Sequence, residues 1–231
     1  MELATHDSGT GDRTALLIHG AMSDHGTWHA VEAHLIGLGY RVIGVDMRGH
    51  GRSPRGDYSV AALGDDLVDS LPVGADLAIG HSMGGLALSL AVERLAPAHA
   101  VYSDPAFGFA QVTPGASEAM RRMVAEATAE SVRAMNPRWS DADIAAELAG
   151  FAAFDPAFFD VIADAADRDP MPAEAVVPSL VQLADPSFTV DAEGARRLAE
   201  RGFEVRTVIG AGHCVHRDDL PGFLASLDGW L

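Results

Sequence analysis

The stretch LAIGHSMGGLALSLAV, residues 77–92, joins two apolar patterns at a single serine. Leu77, Ala78 and Ile79 read as the end of a short buried strand. Leu86, Leu90 and Val92 continue with helical spacing until Pro97 stops the run. Between them, Gly80-His81-Ser82-Met83-Gly84 fits the pattern G-x-S-x-G. A serine on a tight strand-to-helix turn carries its Oγ above the sheet, and glycines on either side remove side chains that would clash there. The helix that follows points its first N–H groups toward any oxyanion formed at that serine. A serine between glycines is also ordinary turn chemistry, so Ser82 reads as a nucleophile only if a base and an acid follow in the chain.

Outward from this stretch the strand-then-helix rhythm repeats. Short apolar runs occur at 14–20 (TALLIHG), 41–46 (RVIGVD), 100–105 (AVYSDP), 179–185 (SLVQLAD) and 204–210 (EVRTVIG). They lack polar alternation, as strands covered on both faces do. Helical stripes lie between them: Trp28, Val31, Leu35 and Leu38; Leu63, Leu67 and Leu71; Ala195, Leu198 and Ala199; Phe223, Leu224 and Leu227. The alternation predicts a doubly wound, mostly parallel α/β sheet. One segment, about 108–175, shows only helix starts and stops. Met120, Met123, Val124 and Ala127 form a stripe there, and Ser140 with Asp143 reads as a capping box closed by Gly150. Asp155-Pro156 opens a further turn before Phe158, Phe159 and Ile162. We expect a helical cap over 108–175 inserted into a core formed by 1–107 and 176–231. The bland reading of the segment is extra packing helices.

A serine hydroxyl needs a base at neutral pH. His213, in VIGAGHCVHRDDL, follows the last apolar run and precedes the last helical stripe, the place a base takes in the order Ser…Asp…His. His216 is its competitor three residues on. His6, His25, His29, His34 and His99 read as solvated, and His81 as packing below the serine. A carboxylate must orient the base. Asp185, ending SLVQLAD, is the expected acid; Asp104, ending AVYSD, is the alternative, because the strand right after the nucleophile's helix can also hold it. The backbone N–H of Met83 and that of Ala21, in His19-Gly20-Ala21-Met22 after the first strand, are the expected oxyanion donors. His19 reads as a structural tie in that loop.

The composition narrows the partners. The net charge is −17 at pH 7, and all 16 basic residues are arginine. Such acidity opposes nucleic acid and anionic membranes, whose charges would be repelled. No uncharged apolar run reaches the length of a membrane span, and the first residues carry no basic, apolar leader. A single cysteine, Cys214, forms no intrachain disulfide framework. A cytoplasmic enzyme of a small molecule is expected. No metal and no cofactor is implied, since no Cys/His cluster has ligand spacing, and nothing in the sequence assigns an oligomeric state.

These motifs resemble those of the α/β-hydrolase superfamily. LLIHGAMSDHGTW resembles its HG oxyanion loop, GVDMRGHGRS its D-x-R-G-x-G-x-S turn, and IGHSMGG its nucleophile elbow. LADPSF and GAGHCVHRD sit where the superfamily keeps acid and base, and 108–175 where it places a cap. The resemblance spans residues 14–217 and implies a serine-nucleophile, esterase- or lactonase-like branch. It departs from the usual acid segment in having Leu183-Ala184 where glycine is common. The implied reaction is hydrolysis of an ester or lactone through an acyl-enzyme. Met22, Met120, Met123, Phe154 and Phe158 (with Phe151) would wall an apolar substrate site. A type II-like thioesterase, a C–C hydrolase or a cofactor-free lyase would use the same residues, and a non-catalytic ligand receptor is the alternative of another kind.

Overall fold

The computed structural model describes residues 1–108, 115–159 and 170–231. Seven strands form one sheet: β1 (Thr5–Ser8), β2 (Arg13–Ile18), β3 (Tyr40–Val45), β4 (Leu77–His81), β5 (His99–Ser103), β6 (Ser179–Leu183) and β7 (Glu204–Thr207). Their spatial order is β1-β3-β2-β4-β5-β6-β7. All neighbours are parallel except β1, which runs antiparallel to β3.

Both faces of the central strands are buried, and the side-chain alternation shows it directly. Leu16 and Ile18 of β2 enter one apolar cluster, while Ala15 and Leu17 enter the other. Ala78 parts from Leu77 and Ile79 in the same way on β4, as Tyr102 does from Val101 on β5. Helix α1 (His29–Gly37), through Val31 and Leu35, with Trp28 just before it, and α8 (Leu220–Ala225), through Phe223, close the second face. Helices α2 (Val60–Ser70), α3 (Met83–Leu95) and α7 (Ala192–Glu200) close the first through Leu63, Leu67, Leu88 and Leu198. Full burial of each such side chain contributes about 1.5–3 kcal/mol. The periodic stripes in the sequence are these buried faces, with Leu38, Leu90 and Ala199 the members that stay largely exposed.

Between β5 and β6 lie α4 (Ala116–Glu126), α5 (Ala129–Met135), α6 (Asp141–Ala153) and a 3-10 turn at Pro156–Phe158. Ser140 caps α6 in the expected box, with its hydroxyl accepting from the Asp143 N–H at 3.2 Å and Asp143 accepting from the Ser140 N–H at 3.0 Å. Asp155 caps the turn through the Ala157 N–H. Gly150 has a different role from the one its sequence suggests, because α6 runs on to Ala153. A Cβ at Gly150 would stand 2.8 Å from the Met22 carbonyl oxygen, so glycine here lets the helix press against the loop after β2. Val132, Trp139, Ile144 and Phe151 form a separate apolar cluster that touches Met22 and Cys214. Polar ties join this segment to the residues that follow β3 and β7: Arg217 donates to Glu147 at 2.7 Å, Trp139 Nε1 to Asp218 at 3.0 Å, and Tyr58 to Asp155 at 2.6 Å. Isoleucine 162 of the sequence reading lies outside the described residues.

Candidate active site

Ser82 occupies the junction between β4 and α3 with φ 51° and ψ −117°, a backbone conformation that L residues rarely hold. Hydrogen bonds fix it from three sides. Its N–H donates to the Ser103 carbonyl at 3.1 Å, and its own carbonyl accepts from Gly85, Leu86 and Ala106 at 3.0, 3.1 and 2.9 Å. The motif's glycines face each other across the turn: a Cβ on Gly80 would lie 2.4 Å from the Gly84 carbonyl oxygen. Sequence spacing and tertiary geometry therefore demand glycine at the same positions.

Asp104 holds the equivalent place at the end of β5, also at positive φ (40°) and fully buried. His213 Nδ1 lies 2.6 Å from Asp104 Oδ2, and the other carboxylate oxygen accepts from the Ala184 N–H at 3.1 Å. A carboxylate oxygen is the acceptor in this contact, so the His213 Nδ1–H donates to Asp104. This corrects the expectation that Asp185 would partner His213. Strand β6 ends at Leu183, the Asp104 carboxylate takes the Ala184 N–H, and Asp185 turns out to solvent. Its Oδ2 accepts from the Gly210 N–H at 3.1 Å and its N–H donates to the Ala211 carbonyl at 2.8 Å. Asp185 thus fastens the loop that carries His213 without reaching the imidazole.

Histidine side chains support this frame. His81 is buried below the elbow, as expected, and its Nε2 donates to the His213 carbonyl at 2.9 Å. Burial pushes its pKa well below the ordinary value, so it stays neutral. His19 accepts from the Met47 N–H at Nε2 (2.9 Å) and donates from Nδ1 to the Gly20 carbonyl (2.6 Å), bracing the loop that contains Ala21. His216 is neither exposed nor turned to substrate; its ring stacks on Trp28 at 4.2 Å inside the core. His25, read as solvated, is half-buried and donates to Asp46 at 2.7 Å. Burial alone would raise the Asp46 carboxyl, but hydrogen bonds from His25 and Arg52 outweigh it and hold it well below the usual range.

A cavity of about 450 Å³ lies between the sheet's C-terminal edge and the helices after β5. Ser82 and His213 line it together with Ala21 and Met83, whose N–H groups belong to the loop after β2 and to the first turn of α3. Met22, Met120, Met123, Phe151 and Phe158 form part of its wall. Phe154 does not: it packs against His50 and Phe159 in the core, with ring centroids at 4.8 and 4.9 Å. Sequence reasoning missed Trp139, Glu147, Arg217 and Phe188 in the wall, each of which the fold brings there from an unrelated stretch. Phe188 lies with its ring centroid 4.4 Å from that of His213. Cys214 is a poor rival nucleophile, because desolvation pushes its thiol up to about 11. Among the described residues, no group of three or more His, Cys, Asp or Glu side chains is arranged to hold a metal ion. Nor is any described helix long and apolar enough to cross a membrane.

Known proteins share this architecture. The N-formylmaleamic acid deformylase Nfo of Pseudomonas putida superposes with a TM-score of 0.79 at 24% identity, covering 98% of this chain and 96% of that one. An esterase of Exiguobacterium antarcticum superposes at 0.77 with 17% identity, covering 99% and 94%. In sequence, the uncharacterized protein Rv2715 of Mycobacterium tuberculosis is 44% identical over 75 residues, 30% of this chain and only 22% of that protein's length. A family model described as the alpha/beta hydrolase family matches residues 15–226, nearly the whole chain, and the chain belongs to that family.

Proposed function

We propose that this chain is a serine hydrolase that cleaves a carboxylic ester or lactone of a small, largely apolar molecule. The observation that carries the reading is the His213–Asp104 pair at 2.6 Å, beside Ser82 on the strained turn, opening on one apolar cavity. In this reading His213 Nε2 takes the Ser82 proton as Oγ attacks the carbonyl, and the N–H groups of Ala21 and Met83 hold the oxyanion. The protonated His213 then gives its proton to the leaving alcohol. A water activated by His213 cleaves the acyl-enzyme and restores Ser82. Residues 108–175 act as a cap on a core of 1–107 and 176–231. The esterase and the deformylase to which the fold is similar are hydrolases by name, which supports the same class.

A panel of p-nitrophenyl esters, lactones and acyl thioesters, with mass-spectrometric mapping of a fluorophosphonate label, tests this reading. Ester or lactone turnover with the label on Ser82 is expected. Turnover confined to thioesters would move the substrate to the thioesterase class. Ligand binding with no turnover and no label would make the protein a receptor.

A further inference from the structure

If Ser82 and His213 act as proposed, the leaving alcohol has a fixed place. The group that protonates its oxygen must come within hydrogen-bond reach of it, so the alcohol leaves past His213. The side chain standing at that exit is Phe188. Its ring centroid is 4.4 Å from the imidazole's, it lines the cavity, and 57% of it is exposed. Among the described residues in the wall, Phe188 and Met135 (53% exposed) are the large apolar side chains that stay mostly exposed. The deeper members, Met83, Leu86 and Phe158, are buried.

Phe188 does not hang loose. Its loop is tied on one side to the acid: Thr189 Oγ1 donates to the Asp104 carbonyl at 3.4 Å, and Asp104 accepts from the Ala184 N–H. On the other side Asp185 fastens it to the loop carrying His213. Ser187 Oγ accepts from the N–H groups of Thr189 and Val190 at 3.3 and 3.0 Å, closing a tight turn under the ring. The hydrogen bonds that place the acid and the base therefore also place an aromatic face beside them. An exposed aromatic surface held this firmly favours a partner that covers it, and a ring stacked or tilted on Phe188 gains both apolar burial and aromatic contact.

We infer that Phe188 selects the alcohol half of the substrate, favouring esters whose leaving group is a flat, apolar or aromatic alcohol, while the buried wall around Leu86 and Phe158 takes the acyl half. This rests on the serine-hydrolase reading for its chemistry, though the aromatic site itself can be tested without turnover.

The experiment holds one acyl group constant and compares benzyl, methyl and 2-methoxyethyl esters, whose alcohols differ in shape more than in intrinsic reactivity. The benzyl ester should exceed the methyl ester in kcat/KM by about tenfold, a contrast of the size an aromatic contact with area burial provides. Phe188→Ala should erase most of that preference, and Phe188→Trp should restore it. The preference among acyl chains, measured with one alcohol, should stay as in the parent enzyme. Alcohol and acyl preferences falling together would overturn the inference, since loop collapse alone would do that. In parallel, benzyl ester binding to Ser82→Ala is measured by calorimetry with and without Phe188→Ala. Tighter binding with Phe188 present supports the site even if the native chain hydrolyses no ester, an outcome that would sink only the hydrolase reading. Equal binding in the two backgrounds would overturn the aromatic site itself.

Discussion

Replacing Asp104 by Asn puts the proposed chemistry under its most direct test, because geometry alone says what each oxygen does. Oδ2 accepts from His213 Nδ1 at 2.6 Å and Oδ1 from the Ala184 N–H at 3.1 Å, in a site with no solvent exposure. An amide has one acceptor and one donor, so it cannot serve both. If its NH2 faces His213, the imidazole must shift its proton to Nε2, which leaves no base toward Ser82. That tautomer error costs about 10⁴ in kcat in the serine-protease triad, or about 5 kcal/mol at 1.36 kcal/mol per decade. If the NH2 faces Ala184 instead, two donors meet in a dry site, at roughly 1–3 kcal/mol of stability. Asp185→Asn should behave differently. Asp185 is exposed, and an Asn there can still accept from Gly210, so the loss should stay within about threefold, the range of ordinary surface changes. Steady-state hydrolysis of p-nitrophenyl acetate, with thermal melts to confirm folding, separates the two. A folded Asp104→Asn enzyme within about tenfold of the parent, or a larger loss in Asp185→Asn, would refute the assignment made from the 2.6 Å contact.

Two further outcomes follow from backbone strain and from buried titrating groups. Ser82→Gly should abolish turnover yet raise the melting temperature: relief of about 1–3 kcal/mol of strain at φ 51° exceeds the roughly 0.5–1 kcal/mol that glycine's freedom costs. Near a net 1 kcal/mol the rise is about 2–4 °C for a chain of this size, and a fall would show that the turn is not strained. For pH, burial holds His50 near a pKa of about 3, while an unfolded histidine takes up its proton near 6.5. Between those values the unfolded state binds more protons, so stability rises with pH and drains away on acidification. The slope approaches roughly 1.4 kcal/mol per pH unit for each such histidine. Urea unfolding at several pH values below 6.5 should therefore be less steeply pH-dependent in His50→Gln, and an unchanged slope would contradict a neutral, buried His50.

The five interior strands were legible because burial on both faces leaves mainly apolar runs, and TALLI or LAI admits few other readings, while the edge strand β7, EVRT, was found only within the longer run 204–210. Strand β1 was not. THDS is polar and sits at the sheet edge with alternate residues exposed, so neither hydrophobic run nor apolar alternation marks it. That Ser82 and His213 would line one cavity could be read from local pattern and chain order, since each follows a strand at the same edge of the sheet. The carboxylate that His213 meets could not. Asp104 and Asp185 both end an apolar run of sequence and both precede proline, and which one meets His213 depends on how the loop after β7 crosses back over β6. That crossing is set by backbone hydrogen bonds such as Val208 to Leu183, at 2.9 Å, and leaves no trace in residue type. Phe154 and Phe158 show the same limit. Both pack in the apolar cluster beside His50, but only Phe158, past the bend at Asp155, also lines the cavity.

What looked like separate motifs in the sequence is one steric and hydrogen-bonded unit in space. A Cβ on Gly84 would stand 2.3 Å from the Ile18 carbonyl oxygen, and one on Gly20 would lie 2.9 Å from His81 Nδ1 and 3.3 Å from the Ser82 Cβ. The loop after β2 and the turn at Ser82 therefore pack closely, Gly84 against the backbone carbonyls of Ile18 and His19 and Gly20 against the side chains of His81 and Ser82. The D-x-R-G-x-G-x-S turn joins the same unit from behind. Met47 donates to His19, Asp46 accepts from the N–H groups of His25 and Arg52, and Arg48 pairs with the buried Asp66. In the proposed reaction, donors that meet a developing charge must be fixed before substrate arrives, and a frame of this kind would supply that fixity. Asp46, Arg48 and Arg52 of this turn do not line the cavity, so their part is to hold these loops in place.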